Sequence, residues 1–299
     1  MAAQFYTGLY RMMSVPSNIA DAGEEPFYSE LSLWDTFRGV HPFYTIVLPE
    51  MVPPFVNSLL KQGEKNGYLP VMPKWGRETQ CMIGTHSVPV VVDACLKGFA
   101  GVDWKRAYAM VKDTLTRPHT KRSKENWDVL DRHGYYPCDV LAGEGVSRTL
   151  ECSYDDWCAM KMAERLGSPE DVAFFARRAG NWRNVFDPAT RFMRGRRADG
   201  TGREPFDPYR YGHGGSGGTD FTEGNGYQWR WHVLQDAEGL FDALGGKAAA
   251  ATLVEELFDK VKPFSDNNNA TGLWGGYAQG NEPVHHVPYL LTLCGRPDL

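Results

Sequence analysis

The chain lacks the basic excess that nucleic-acid binding requires. Its 299 residues hold 32 Lys and Arg against 37 Asp and Glu, a net charge of −5. One short basic run, Arg191 to Arg197, reads as solvated surface, with a phosphate contact as the alternative. No stretch is long and apolar enough to span a membrane. Met1 to Tyr10 contains no apolar signal-peptide core, and the compartment stays open. The six cysteines are Cys81, Cys95, Cys138, Cys152, Cys158 and Cys294, and none forms a C-x-x-C pair. That excludes a zinc ribbon or dithiol redox motif without settling the redox environment. The run Gly212 to Gly218 has no Lys-Ser/Thr ending and no preceding strand, so it is not a phosphate loop. Asn269-Ala270-Thr271 is a glycosylation sequon, meaningful only in a secreted protein.

What is present is aromatic and helical. Aromatics make up 13% of the chain, with 9 Trp, 14 Tyr and 15 Phe. Such rings pack on the apolar faces of sugars, and they equally build a large core. Glu30 to Val47 carries Leu33, Phe37 and Val40 at helical spacing, and Val52 to Lys61 continues until Gly63 and Gly67. Val88 to Gly98 is a further apolar helix. Asp103 is an N-cap for Trp104 to Leu115. Ser147 to Leu166 is closed by Gly167, and Ser168-Pro169 opens a helix to Ala179. Tyr227 to Leu244, Ala248 to Lys260 and Pro283 to Leu291 complete the set. Phe186 to Asp220 is a long loop, of the kind that is functional or disordered. Strand alternation is wanting. Repeated helix and polar loop predict an all-α fold of helical hairpins, an incomplete (α/α)6 toroid, since a full one needs twelve helices.

Four polar clusters interrupt this pattern. The first is Ser32 to Arg38 with His41, where Asp35 and Arg38 share a helix face. An exposed ion pair beside a buried Trp34 is the plainer reading. The second is Ser147-Arg148-Thr149-Leu150-Glu151 leading to Tyr154-Asp155-Asp156-Trp157, which alone reads as a capped helix with solvated charges. The third is Thr222-Glu223-Gly224-Asn225-Gly226-Tyr227-Gln228-Trp229, a carboxylate among glycines and aromatics or an ordinary helix start. The fourth is Tyr277-Ala278-Gln279-Gly280-Asn281-Glu282-Pro283 with His285 and His286. Asn281 and Glu282 offer hard oxygen donors suited to Ca²⁺. Glu282 and His286, four apart, would instead suit a transition metal. A helix start with Pro283 in its first turn is the bland alternative.

Together these clusters resemble glycoside hydrolase family 92. Leu31 to Pro42 is similar to that family's F-S-L-W-D-T-x-R-x-x-H-P stretch, and Gln80 to His86 loosely to N-x-M-I-G-D-H. Val146 to Trp157 is similar to V-S-R-T-L-E-x-x-Y-D-D-W. Thr222 onward is similar to T-E-G-N-x-W-Q-Y, with Tyr227 in place of Trp. Tyr277 onward is similar to Y-A-H-G-N-E-P-x-H-H, with Gln279 in place of His. Phe5 to Tyr10 is similar to the run before the family's catalytic core.

The resemblance implies an exo-acting, inverting, Ca²⁺-dependent α-mannosidase acting on terminal mannose of an N-glycan or oligosaccharide. It implies Glu223 as general acid. It implies Trp34, Asp35 and Arg38 in mannose binding, and Gln279, Asn281 and Glu282 in the calcium-binding stretch. It also implies one partial catalytic domain over 1–299, without the family's N-terminal β-sandwich and without its later G-N-D-D-x-G-Q-M-S-A-W-Y motif, source of the general base. Residues 1–299 alone are therefore expected to hydrolyse little. A non-enzymatic mannose- or calcium-binding remnant is the alternative. A toroidal hydrolase of glucosides, with no calcium dependence, is a third. The family is often secreted or periplasmic.

Overall fold

A computed structural model describes residues 2–29, 32–119, 125–141, 143–212, 219–259 and 272–299. The sequon and most of the Gly212 to Gly218 run lie outside the described residues.

The chain opens with α1 (Ala2–Met12), which buries none of its residues. A single helix over Glu30 to Val47 is not what forms. The stretch divides into α2 (Leu33–Thr36) and α3 (Val40–Val47), with a turn at 37–39. Pro42 is the cause: its ring in a continuous helix would strike the carbonyl of residue 38. In the first turn of a new helix that carbonyl is elsewhere, and Gly39 makes the break. Next come α4 (Val52–Asn66), α5 (Ser87–Leu96) and α6 (Trp104–Thr116). Gly67, at φ 88, ends α4 in the left-handed conformation. Asp103 caps α6 as expected, accepting from the Arg106 amide at 3.1 Å. The sequence reading missed α7 (Trp127–His133).

The longest helix is α8 (Gly145–Leu166), followed by α9 (Pro169–Ala179), where the Ser168 hydroxyl accepts from the Asp171 amide. The charges of the second cluster, on the first half of α8, are not solvated. Arg148, Glu151, Asp155 and Asp156 are all buried, as are Ser147 and Thr149.

The expected helix over Tyr227 to Leu244 is also interrupted. It becomes α10 (Gly226–Trp229) and α11 (Ala237–Leu244), with irregular backbone between. Trp231, His232 and Val233 in that gap are buried. Their apolar character records burial rather than a helical face. The Asp236 side chain accepts from the Gly239 amide and restarts the helix. Last come α12 (Lys247–Asp259) and α13 (Val287–Leu293), the latter preceded by a 3₁₀ turn Glu282–Val284. Pro283 therefore lies in the 3₁₀ turn rather than opening the final helix.

The described strands pair into two-residue antiparallel ribbons. They are β1 (Ser17–Asn18) with β2 (Tyr28–Ser29), and β3 (Pro73–Lys74) with β4 (Arg77–Glu78). Then come β5 (Phe186–Asp187) with β6 (Phe192–Met193), and β7 (Leu273–Trp274) with β8 (Tyr277–Ala278). Strands this short cannot show a period of two.

Two compact units result. Unit 1 comprises Met1–Trp127 and Asp155–Arg177; unit 2 comprises Asp128–Tyr154 and Arg178–Leu299. In unit 1, α4 packs on α5 and α6 over Phe55, Val56, Leu59 and Leu60. In unit 2, α12 packs between α11 and α13 through Ala250, Val254 and Leu257. Trp34, Trp182, Trp229 and Trp231 are all at most 2% exposed. Much of the aromatic content is thus core.

Candidate functional site

The residues singled out from the sequence fall into two groups, one in each unit.

In unit 2, Glu223 lies in a segment held from several directions. Gly212 and Gly224 form an isolated antiparallel bridge, with amide-to-carbonyl distances of 2.8 and 3.2 Å. The Thr222 amide donates to the Ser147 hydroxyl at 2.9 Å, and its own hydroxyl donates to Glu144 Oε1 at 3.0 Å. Trp229 Nε1 donates to the Thr222 carbonyl at 2.8 Å. Immediately after, Asn225 and Gln228 make a reciprocal capping box on α10. Glu223 itself is half-buried and sits at φ 46, in the left-handed region that a side chain rarely adopts. Its neighbours hold it there.

The fourth cluster comes to this segment. Asn281, 5% exposed, donates from Nδ2 to the Glu223 carbonyl at 2.6 Å. That bond fixes the amide, so Oδ1 faces away from the carbonyl. Glu282 follows at the start of the 3₁₀ turn. Gln279 Oε1 accepts from the Tyr277 hydroxyl at 2.6 Å, and its carbonyl accepts from His285 Nε2 at 3.0 Å. Tyr211 was missed by the sequence reading. Burial first, and then the carboxylates of Glu223 and Glu282, push its phenol above the ordinary range. The hydroxyl therefore stays protonated beside both carboxylates at neutral pH.

The oxygen donors of Asn281 and Glu282, one amide and one carboxylate on adjacent residues, fit a hard cation such as Ca²⁺. The transition-metal alternative loses a ligand, because His286 Nε2 donates to the Trp231 carbonyl at 2.8 Å. Among the described residues no group of three or more His, Cys, Asp or Glu is placed to hold a metal.

In unit 1, α2 carries the other group. Trp34 is 2% exposed, whereas Asp35 on the same short helix is exposed. The Arg38 guanidinium lies 4.7 Å over the rings of both Trp34 and Phe37, and its Nε donates to the Trp34 carbonyl at 3.0 Å. Asp35 thus meets solvent, and Trp34 lies beneath.

Unit 2 also holds a pair with no solvent contact. His232 Nε2 is 3.1 Å from Glu151 Oε1, and both side chains are 0% exposed. His232 packs at 4.7 Å from the Trp229 ring and 5.9 Å from His286.

The bridge beside Glu223 is open to test. A Cβ on Gly212 would lie only 1.8 Å from the Phe221 carbonyl oxygen, which is backbone and cannot swing aside. Gly212→Ala is expected to cost about 1–3 kcal/mol in chemical denaturation, the usual scale of forced overpacking. Gly39→Ala is the control, since nothing lies within 4 Å of its added Cβ. Equal stability of the two variants would mean that the bridge is dispensable.

A helical framework thus holds the strained backbone of Glu223 against the oxygen-donor segment at Asn281. The whole of residues 1–299 matches the glycosyl hydrolase family 92 catalytic domain, and the chain belongs to that family. Its fold class is accordingly the helical toroid of that family. A family GH92 α-mannosidase from Bacteroides thetaiotaomicron, solved with mannoimidazole, is 35% identical. It superposes with a TM-score of 0.89 over 98% of this chain and 40% of its own. An inverting mannosidase of the same family and organism is 30% identical, with a TM-score of 0.83 over 96% of this chain and 42% of its own. An uncharacterized secreted glycosidase of Arthroderma benhamiae is 25% identical over 99% of this chain and 37% of its own length. The chain thus spans about two fifths of the length of these relatives.

Proposed function

We propose that this chain supplies part of the catalytic domain of an exo-α-mannosidase that removes terminal α-linked mannose from glycans with inversion. Residues 1–299 are read as one stretch of that domain. The observation that carries this is the 2.6 Å bond from Asn281 Nδ2 to the Glu223 carbonyl. It joins the carboxylate segment to the oxygen-donor segment, 58 positions apart in sequence. The α-mannosidase and inverting-mannosidase relatives support the substrate class and stereochemistry.

Glu223 is assigned as general acid, protonating the departing glycosidic oxygen. Its fixed backbone limits the directions in which the carboxyl can point, which is what proton delivery along one trajectory needs. An inverting enzyme uses a second carboxylate to activate water, ~6.5–9.5 Å from the acid. Tyr211, kept protonated by burial first and by the field of the two carboxylates, carries a donor hydroxyl. Asp35 and Arg38 are assigned to the sugar hydroxyls, with Trp34 supporting them. Asn281, Glu282 and Gln279 are assigned to Ca²⁺, which when bound would offer coordination to two neighbouring sugar hydroxyls.

Calorimetric titration with CaCl₂ tests the assignment. Heat of binding is expected for the unsubstituted protein, with weaker affinity for Glu282→Ala. Binding unaltered by Glu282→Ala would remove the calcium assignment. Release of free mannose from an α-mannoside tests the activity separately.

A further inference from the structure

The exposed Asp35 sits on a helix of only four residues. Such a helix has no stability of its own, because nucleation alone costs more than its few hydrogen bonds return. Whatever fixes Asp35 must lie beneath α2. What lies there is a buried imidazole. His86 is 1% exposed and stacks on the Phe37 ring at 4.1 Å, with planes 14° apart. It also lies 5.7 Å from the Trp34 ring.

The imidazole is in turn held by Asp155, also 1% exposed. Asp155 Oδ2 accepts from the Thr85 amide at 2.7 Å, and Oδ1 lies 3.4 Å from His86 Nδ1. One carboxylate therefore bonds the backbone at residue 85 and faces the ring at residue 86. The preceding Gly84, at φ 70, makes the turn that brings these two groups to it. A carboxylate at Nδ1 favours the proton on that nitrogen and so sets the tautomer and plane of the ring. The stacking runs from that plane through Phe37 and Trp34 to the Arg38 guanidinium above them.

We propose that Asp155, acting through His86, is a positioning residue that orients the Asp35–Arg38 segment for contact with the sugar. The role of that segment rests on the mannosidase reading above. The orientation itself rests on the packing beneath α2. Asp155 lies on α8, far along the chain from residue 35, and reaches the segment through the histidine. Asp155→Asn keeps an acceptor for the Thr85 amide and loses the carboxylate facing Nδ1. His86→Gln keeps a polar group and loses the stacked plane.

The experiment measures both variants in the intact protein. Hydrogen exchange at residues 33–38 is expected to quicken by about tenfold in each, as a locally loosened element does. The kcat/KM for mannose release is expected to fall about 10- to 100-fold, the scale of a small misplacement of a binding group. In an Asp35→Ala background the same substitutions are expected to cost little further, because the group they position is gone. Unchanged exchange at 33–38 in both variants would overturn the proposal. So would an equal fall in kcat/KM with and without Asp35. Failure of a protein carrying the whole catalytic domain, general-base segment included, to release mannose would instead sink the mannosidase reading, and the exchange rates would still decide the positioning.

Discussion

Glu223→Gln in the intact protein is expected to slow hydrolysis of mannosides with poor leaving groups by about 10²–10⁴-fold, the usual worth of general acid catalysis. The isosteric amide cannot donate a proton to an alkoxide. An aryl mannoside with an acidic phenol departs with little help, so its rate is expected to fall much less. Calcium affinity and stability are expected to hold, because Asn281 binds the carbonyl of residue 223 and not its side chain. The backbone at φ 46 is equally strained with either side chain. The measurement is a pair of kcat/KM values, one for each substrate. Equal losses on both would give Glu223 a structural or binding role and remove it from the chemistry.

The second large effect concerns folding. His232→Ala is expected to destabilise the protein by about 3–5 kcal/mol, the range for removing one partner of a buried ionic pair. The cause is a buried carboxylate that loses its imidazole neighbour: Glu151 lies on α8 and is 0% exposed. Loss of the His232 ring also strips a 4.7 Å contact from Trp229. The double replacement Glu151→Met with His232→Phe is expected to recover part of the loss, since it removes the buried carboxylate together with its imidazole neighbour. Denaturant midpoints decide the matter. A cost below about 1 kcal/mol for His232→Ala would mean that no ionic pair existed there.

The contrast between these two residues explains how much was legible in the sequence. Caps and stops were readable, because their chemistry is local. Asp103, Ser168 and Gly67 each act within a few residues of themselves. The breaks at 37–39 and 230–236 were harder. Pro42 was a local signal for the first and went unused. The second is tertiary: Trp231 and Val233 are apolar because they are buried, and apolarity alone does not distinguish a helix from irregular core. The ribbons β3–β4 and β7–β8 turn on Gly76 and Gly275, at φ 69 and 59, with two residues on either side. No alternation can develop over such a length.

The motifs placed Glu223, Asp35 and Glu282 by resemblance, yet nothing in their spacing told that Asn281 binds the Glu223 carbonyl. Tyr211 carried no signal beyond adjacency to glycine. The charges of the second cluster were the sharpest surprise. Solvation was the natural reading for Arg148, Glu151, Asp155 and Asp156, and all four are buried. A helix whose polar residues face inward marks a framework that has given up apolar packing for exact placement of neighbours.

The left-handed backbone at Glu223 has an evolutionary consequence. A non-glycine residue in that region costs of order 1–3 kcal/mol, and Glu144, at φ 60, shares the condition. Glycine at position 223 would relieve the cost without disturbing the Asn281 bond, and would abolish the carboxyl. Heat selection applied to a random library of this chain would therefore enrich for glycine at 223, and on the general-acid proposal those survivors would be catalytically silent. On the general-acid proposal, glutamate at 223 trades stability for turnover, and a thermostabilisation campaign on this scaffold has to hold that position constant.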